Sequence, residues 1–130
     1  MGDPETEAVM LRIDSDLLEL LDAAATKRLK TCKLNVSPQV AATVMAVSQG
    51  YPGEFEKGKK ITGYNDVSEC CLFHAGTVLE SGLLKTYGGR VLAVSATGQN
   101  KNEALEKCYR NLDLIAFEGK YFRKDIGFDL

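Results

Sequence analysis

Apolar residues recur along this chain with two periods, and each period predicts its own kind of element. From Leu17 the period is helical: Leu17, Leu20, Leu21, Ala24 and Ala25 share one face. Asp14 or Ser15 is placed to cap this helix. Lys27, Arg28 and Lys30 are expected in its last turn, where cations offset the helix dipole. A shorter helix is predicted at Gly2-Asp3-Pro4-Glu5. Asp3 can cap it, Pro4 suits the first helical position, and Glu5 complements the positive end of the dipole. A third apolar stripe runs through Ala104, Leu105, Cys108, Tyr109, Leu112, Ile115 and Ala116. Asn100 caps that helix, Glu103 stands where a capping-box acid belongs, and Gly119 fits the residue after its end.

Between the helical stretches the pattern becomes that of strands. Residues 40–48, VAATVMAVS, follow Pro38 and are apolar and often β-branched, which predicts a buried strand. Ile61-Thr62 is a further short extended piece. Over residues 70–97, CCLFHAG, TVLE, LLKTY and RVLAVSAT read as an antiparallel meander. Its turns fall at Gly76, Ser81-Gly82 and Gly88-Gly89, the last with two glycines able to take the positive φ of a tight hairpin. The tail KYFRKDIGF is expected to return as an edge strand. The fold class is therefore α+β, a mostly antiparallel sheet covered by a C-terminal helix, with a soft boundary near residues 30–36.

Composition narrows the function. A chain of 130 residues with 45% apolar content affords one ordinary core. A net charge of −2 with interspersed signs argues against nucleic acid as a partner. No apolar run approaches the ~18 residues of a bilayer span, and the acidic N-terminus has no cleavable apolar segment, so a cytoplasmic protein is expected. The 4 cysteines form no C-x-x-C and there is 1 histidine, which argues against a zinc site. The thiols are expected to be buried and reduced, with Cys70 and Cys71 on opposite faces of a strand.

The stretch GYPGEFEKGKKITG, residues 50–63, poses a sharper question. From Gly53 it reads G-x-x-x-x-G-K, close to a nucleotide-binding loop. Such a loop needs a hydroxyl beside the lysine and a helix after it. Here Lys60 takes the hydroxyl position, Ile61-Thr62-Gly63 favours extension, and Glu54 and Glu56 would repel phosphate. Glycine turns between strands, with Pro52 fixing one of them, explain the stretch better.

The same stretch carries a resemblance. GYPGEFEKGKKITG, FHAGT at 73–77, GGRVLAV at 88–94 and FEGKYFRKDIGF at 117–128 stand in this order at these intervals. Together they resemble the C-terminal region of the phosphoribosylamine–glycine ligase (glycinamide ribonucleotide synthetase) family, and GDPETE at 2–7 resembles its R-F-G-D-P-E-T-Q signature. The resemblance implies an ATP-grasp ligase of purine biosynthesis that joins phosphoribosylamine to glycine through an acyl phosphate. It implies ATP and Mg²⁺ or Mn²⁺ as cofactors, and glycine and phosphoribosylamine as ligands. Against the family pattern, Met1 stands where the signature has Phe, and Glu7 replaces Gln. The ATP-binding lobes and the metal-holding Glu and Asn of the family lie upstream of the signature. The resemblance thus implies residues 1–35 as the end of an ATP-grasp domain and 36–130 as the ligase C-terminal domain, inactive without the missing lobe. Its origin stays open among a shortened ligase, one part of a split or multifunctional enzyme, and a remnant with a new role.

Site candidates follow from the same motifs, with no catalytic residue and no metal ligand assigned. Asp3 and Glu5 could hold the glycine amine; the alternative is plain capping. His74 and Thr77 could face substrate, or serve the strand that carries them. Arg90, beside the double glycine, suits a phosphate or carboxylate, against a role as a solvated edge charge. Lys57, with Lys59, could meet an anion or simply be solvated. Arg123, Lys124 and Asp125 read as structural ion pairing. The rival function is a non-catalytic interaction module that docks a protein partner through an exposed apolar face.

Overall fold

The structure, a computed structural model, describes residues 2 and 4–129. Two short helices lead, α1 (Glu5–Met10) and α2 (Leu17–Ala25), and a 3₁₀ turn at Leu29–Thr31 follows. Six strands come next in the order β1 (Val40–Ser48), β2 (Cys71–His74), β3 (Thr77–Glu80), β4 (Leu83–Thr86), β5 (Arg90–Gly98) and, after α3 (Lys101–Leu114), β6 (Lys120–Tyr121). The class is α+β, as the alternation of periods predicts.

The strands lie where expected, but they do not form one meander. They make a four-stranded antiparallel sheet, β2-β5-β1-β6, and a separate hairpin, β3-β4. β5 is central, paired with β1 from Val40↔Gly98 to Val47↔Arg90 and with β2 from Cys71↔Ser95 to His74↔Leu92. The hairpin turn is Ser81-Gly82, both at positive φ, the geometry that matches strand twist. Gly88 and Gly89 do not take positive φ, and β4 and β5 do not pair, so this stretch is a crossover between sheets. The tail supplies only a two-residue edge strand against Val47 and Ser48.

Val44, Ala46, Leu92, Val94 and Ala96 alternate onto one face and meet Leu105, Cys108, Leu112 and Ile115 from α3 and its exit. Several are wholly buried, and each large one contributes about 1.5–3 kcal/mol on leaving water. Asn100 accepts from the Glu103 N–H at 3.0 Å, and Glu103 accepts from the Gln99 N–H at 2.8 Å, closing the predicted capping arrangement. The end of α3 differs from expectation. Its last residue before the turn is Leu114, and Gly119 belongs to the turn into β6 instead. The Lys120 ammonium supplies the stop, donating to the carbonyls of Leu112 and Ile115.

The leading helices also differ in detail. Asp16, not Asp14 or Ser15, caps α2, accepting from the N–H groups of Leu18 and Glu19. α2 ends at Ala25, so Lys27, Arg28 and Lys30 lie beyond its last turn. α1 has Pro4 in the capping position rather than inside the helix, and the expected cap, Asp3, lies outside the described residues. α1 packs against β1 and β5.

One fully buried polar side chain was not apparent from the apolar stripe. Asn111 accepts from the Ser68 N–H at 2.9 Å and donates to the Ser68 carbonyl at 2.8 Å and the Lys107 carbonyl at 2.8 Å. It staples the loop before β2 to α3. Asn111→Ala should destabilise the fold by about 2–4 kcal/mol, since it strands two backbone groups of Ser68; urea denaturation checks this, and an unchanged midpoint would refute the staple. The thiols also divide. Cys108 is buried, and burial pushes its thiol up to about 11, whereas Cys71 is exposed and Cys70 precedes the strand instead of sitting within it. Iodoacetamide at pH 8 should therefore label Cys71 in the folded protein and reach Cys108 only on unfolding, as peptide mass spectrometry would show.

Candidate functional site

The sheet end at which β1 finishes and β5 begins gathers most of the predicted residues. His74 closes β2, and its Nδ1 lies 2.9 Å from Thr77 Oγ1. Just beyond, the Tyr87 N–H donates to the Gly76 carbonyl at 2.8 Å, and Lys57 Nζ sits 4.6 Å above the Tyr87 ring centroid. Arg90 follows at the first position of β5.

Glycine is required here for closeness. A Cβ on Gly76 would lie 2.4 Å from the Arg90 carbonyl oxygen and 2.6 Å from Gly88 Cα. A Cβ on Gly89 would lie 2.1 Å from Tyr51 Cδ2. The glycine pair read as a hairpin turn thus lets two backbone segments and an aromatic ring touch.

Arg90 owes its direction to a register slip. Ala46 pairs with Leu92, yet Val47 pairs with Arg90, so β5 carries one extra residue at Val91. Strict alternation from Leu92 would aim Arg90 at the α3 face. The bulge pairs it with Val47 and turns it to the other side. There Met45, Val47, Tyr51, Arg90, Tyr121 and Arg123 line a cavity of about 340 Å³. Arg123 is held in place by Asp125, with Nε and Nη2 donating to Oδ1 and Oδ2 at 2.9 Å each. That pairing holds the Asp125 carboxyl below its usual range and raises the guanidinium. The expected structural pair is present, and Arg123 also lines this cavity together with Arg90, which the sequence reading missed. The signal available was the spacing of Arg123 and Asp125 after two aromatic residues.

Glu5 lies elsewhere. It borders a different, apolar cavity with Ala8, Val40–Thr43 and Lys101. From there to Val47 is roughly 20 Å along β1 at ~3.4 Å per residue. Glu7 carries a buried Oε2 with no hydrogen-bond partner among the described residues. Asp3 lies outside the described residues.

The glycine-rich loop is occupied with pairing. The N–H groups of Gly53, Gly58, Ile61 and Thr62 donate to the carbonyls of Gly50, Thr86, Leu84 and Ala116, and the Lys59 N–H donates to Thr86 Oγ1. A phosphate cradle needs such groups unspent. Lys59 is itself bracketed by Glu56 at 2.7 Å and Glu118 at 3.0 Å, which raise its pKa. Among the described residues no three His, Cys, Asp or Glu side chains converge as the ligands of an all-protein metal site would.

Gly89→Ala should push Tyr51 off its seat and cost about 1–3 kcal/mol, whereas Gly76→Ala, which meets backbone, should cost more. Chemical denaturation of both variants gives the order. The reverse order would show that the Tyr51 contact, not the Gly76 approach, sets the geometry.

Comparison with known proteins gives a consistent result. Residues 41–129 match the family described as phosphoribosylglycinamide synthetase, C domain. The phosphoribosylamine–glycine ligase of Caldanaerobacter subterraneus subsp. tengcongensis is 44% identical over 126 residues, covering 97% of this chain and 30% of that protein. The trifunctional purine biosynthetic protein adenosine-3 of Homo sapiens is 42% identical over 130 residues, covering 98% of this chain and 13% of that protein. The crystal structure of phosphoribosylamine–glycine ligase from Thermotoga maritima superposes with a TM-score of 0.75 at 35% identity, over 96% of this chain and 31% of that one. The chain thus spans about 30% of the length of the bacterial relatives it matches.

Proposed function

We propose that this chain, which belongs to the phosphoribosylglycinamide synthetase family and matches its C domain, serves as the C-terminal part of an ATP-dependent ligase that joins phosphoribosylamine to glycine. Residues 1–35 are the end of the ATP-grasp domain in this reading, and 36–130 the C-terminal domain. The phosphoryl chemistry, with ATP and its divalent metal, belongs to the part of the ligase outside this chain. The chain contributes a wall of the cleft, where His74, Thr77, Arg90 and Lys57 position substrate.

The observation that carries the reading is an uncovered apolar surface. Leu18 is 76% exposed, and Leu21, Leu29, Leu34 and Val36 are each about half exposed or more. Within α2 only Ala23 is buried. Side chains of this kind, set close together in one segment, fit a surface that a neighbour covers. A ligase of which this chain is about 30% supplies that neighbour. The same leucines support a second reading, a non-catalytic interaction module descended from the domain.

The test combines this chain with a relative's ligase lacking the matching C-terminal region. ADP release is followed with ATP, glycine and phosphoribosylamine. We expect no turnover from either part alone, glycine-dependent ADP release from the mixture, and loss of that release with Leu18→Glu combined with Leu21→Glu. Tight association with no turnover would favour the interaction module. Glycine-dependent ADP release by this chain alone would overturn the reading.

A further inference from the structure

We propose that Cys70 and Cys108 form an intramolecular disulfide when the protein meets a hydroperoxide, and that this bond ties the entrance of β2 to α3. Such a bond is independent of the ligase reading and needs no part of it.

The two thiols are distant in sequence, yet one face of the sheet brings them together. Cys108 is wholly buried on α3. Its Sγ donates to the Ala42 carbonyl at 3.4 Å and lies within reach of the Ala96 backbone. Ala42 and Ala96 are partners across β1 and β5, so Cys108 sits above that pair. On the next strand, Cys71 pairs with Ser95. Continued by one residue, this register sets Cys70 beside Ala96, and the strand alternation turns it to the face opposite that of Cys71. That face is the one α3 covers. Cys70 packs against the cluster that contains Cys108, as Leu72 does, whereas Cys71 is exposed. The side chains that share the row, Ala42 and Ala96, are small, which suits the close approach a disulfide needs. The charge of Cys70 also contributes to raising the Cys108 thiol, after burial.

The loop that carries Cys70 is already anchored to α3. Asn111, one turn beyond Cys108, grips both backbone groups of Ser68. Arg110 donates to the Glu69 carboxylate at 2.6 Å, and Glu69 takes a positive φ, so the chain turns sharply before it enters β2. Cys70 lies between these anchors and the Cys71↔Ser95 pair, which limits how far its thiol can swing from α3. Access divides the roles. Cys70 is partly exposed and Cys108 is not, so the hydroperoxide reacts at Cys70. Its thiolate attacks the peroxide: the O–O bond breaks, a sulfenic acid forms, and an alcohol or water leaves. The Cys108 sulfur then attacks the Cys70 sulfur. The S–O bond breaks, the S–S bond forms, and water leaves with the Cys108 proton. The thiols are oxidised and the peroxide is reduced, with no other reactant. A ring between Cys70 and Cys71 would instead pull Cys71 out of its pairing with Ser95. Burial, and then the charge of Cys71, raise the Cys70 thiol while Arg110 opposes them, so its thiolate is scarcer at neutral pH than that of a free thiol.

The test treats the folded chain with hydrogen peroxide at pH 8 and reads its tryptic peptides, unreduced, by mass spectrometry. We expect residues 61–85, which hold Cys70 and Cys71, joined to residues 108–110 through a disulfide. The link should persist in Cys71→Ser and vanish in Cys70→Ser, a variant that leaves the buried Cys108 untouched. The oxidised protein should stay monomeric and melt roughly 5 °C or more above the reduced one, because the bond closes a long loop of the unfolded chain. Dithiothreitol should reverse both changes. A Cys70–Cys71 ring, a dimer joined through Cys71, sulfinic acid at Cys70 with no link, or no reaction at Cys70 would each overturn the proposal. So would a link that survives Cys70→Ser, one that forms only in urea, or a linked protein that melts below the reduced one. The readout is a covalent bond within this chain, so failed complementation of the ligase would leave it standing, and its own failure would leave the ligase reading intact.

Discussion

The pairing of β1 with β5 is the constraint from which the rest follows. β5 is flanked on both sides, and residues 91–96 of it are buried. With a side-chain period of two, the register against β1 decides which residues meet α3. Leu92, Val94 and Ala96 must face that helix to complete the cluster with Leu105, Cys108 and Leu112. Continued to its start, the same alternation would place a guanidinium on the apolar side, where an unpaired charge is costly. The slip at Val91 resolves this conflict. It keeps the core intact and re-aims Arg90 within one residue, so the geometry of the cavity is a consequence of the geometry of the sheet.

The period of the apolar residues and the cap that starts α3 were legible in the sequence; pairing was not. The strand at 40–48 and the helix after Asn100 fall where alternation and the Asn100–Glu103 pair put them. Alternation says which side chains share a face, but it does not say which strand lies alongside. Four strand-like runs in succession therefore read as a meander, while β5 in fact pairs back to β1 across a long connection. The double glycine misled for a related reason. Glycine permits positive φ, but it also permits contact, and Gly88 and Gly89 serve contact with Gly76 and Tyr51. Asn111 was passed over because its helical position is apolar by pattern, and its partner is a loop whose path no local rule fixes.

The candidate site was legible in part for the same physical reasons. Arg90 stood out because it follows flexible backbone, and His74 with Thr77 because both fall in the FHAGT motif. Their common end of the sheet depends on register, which a linear reading lacks. Arg123 was assigned to an ion pair with Asp125, and that pair exists. An exposed pair of this kind adds little stability. Its larger effect is orientation, since a guanidinium gripped along one edge presents the other. The glycine loop, which invites a phosphate at first sight, spends its N–H groups on β4 and on the exit of α3. A count of glycines and lysines cannot reveal where backbone donors are used.

The two parts of the chain differ in how far each is self-sufficient. The sheet and α3 bury their own apolar side chains, with Val91, Leu92, Val94, Leu112 and Ile115 shielded from water. α2 does not: it is 9 residues long and only Ala23 is buried. Helices shorter than about 12–15 residues are marginal in water without tertiary packing. Leu18 and Leu21, the most exposed leucines of α2, forgo much of the about 1.5–3 kcal/mol that full burial of each contributes. A capped, leucine-rich helix that gains so little from its own chain would gain most from a neighbour laid against it. Covering it would order the leading segment, and α1, packed on β1 and β5, would carry that order directly to the strand whose far end frames Arg90. Association with a neighbour and the shape of the cavity beside Arg90 would thus be coupled through one strand, because the strand that α1 packs against is the one that sets the register of Arg90.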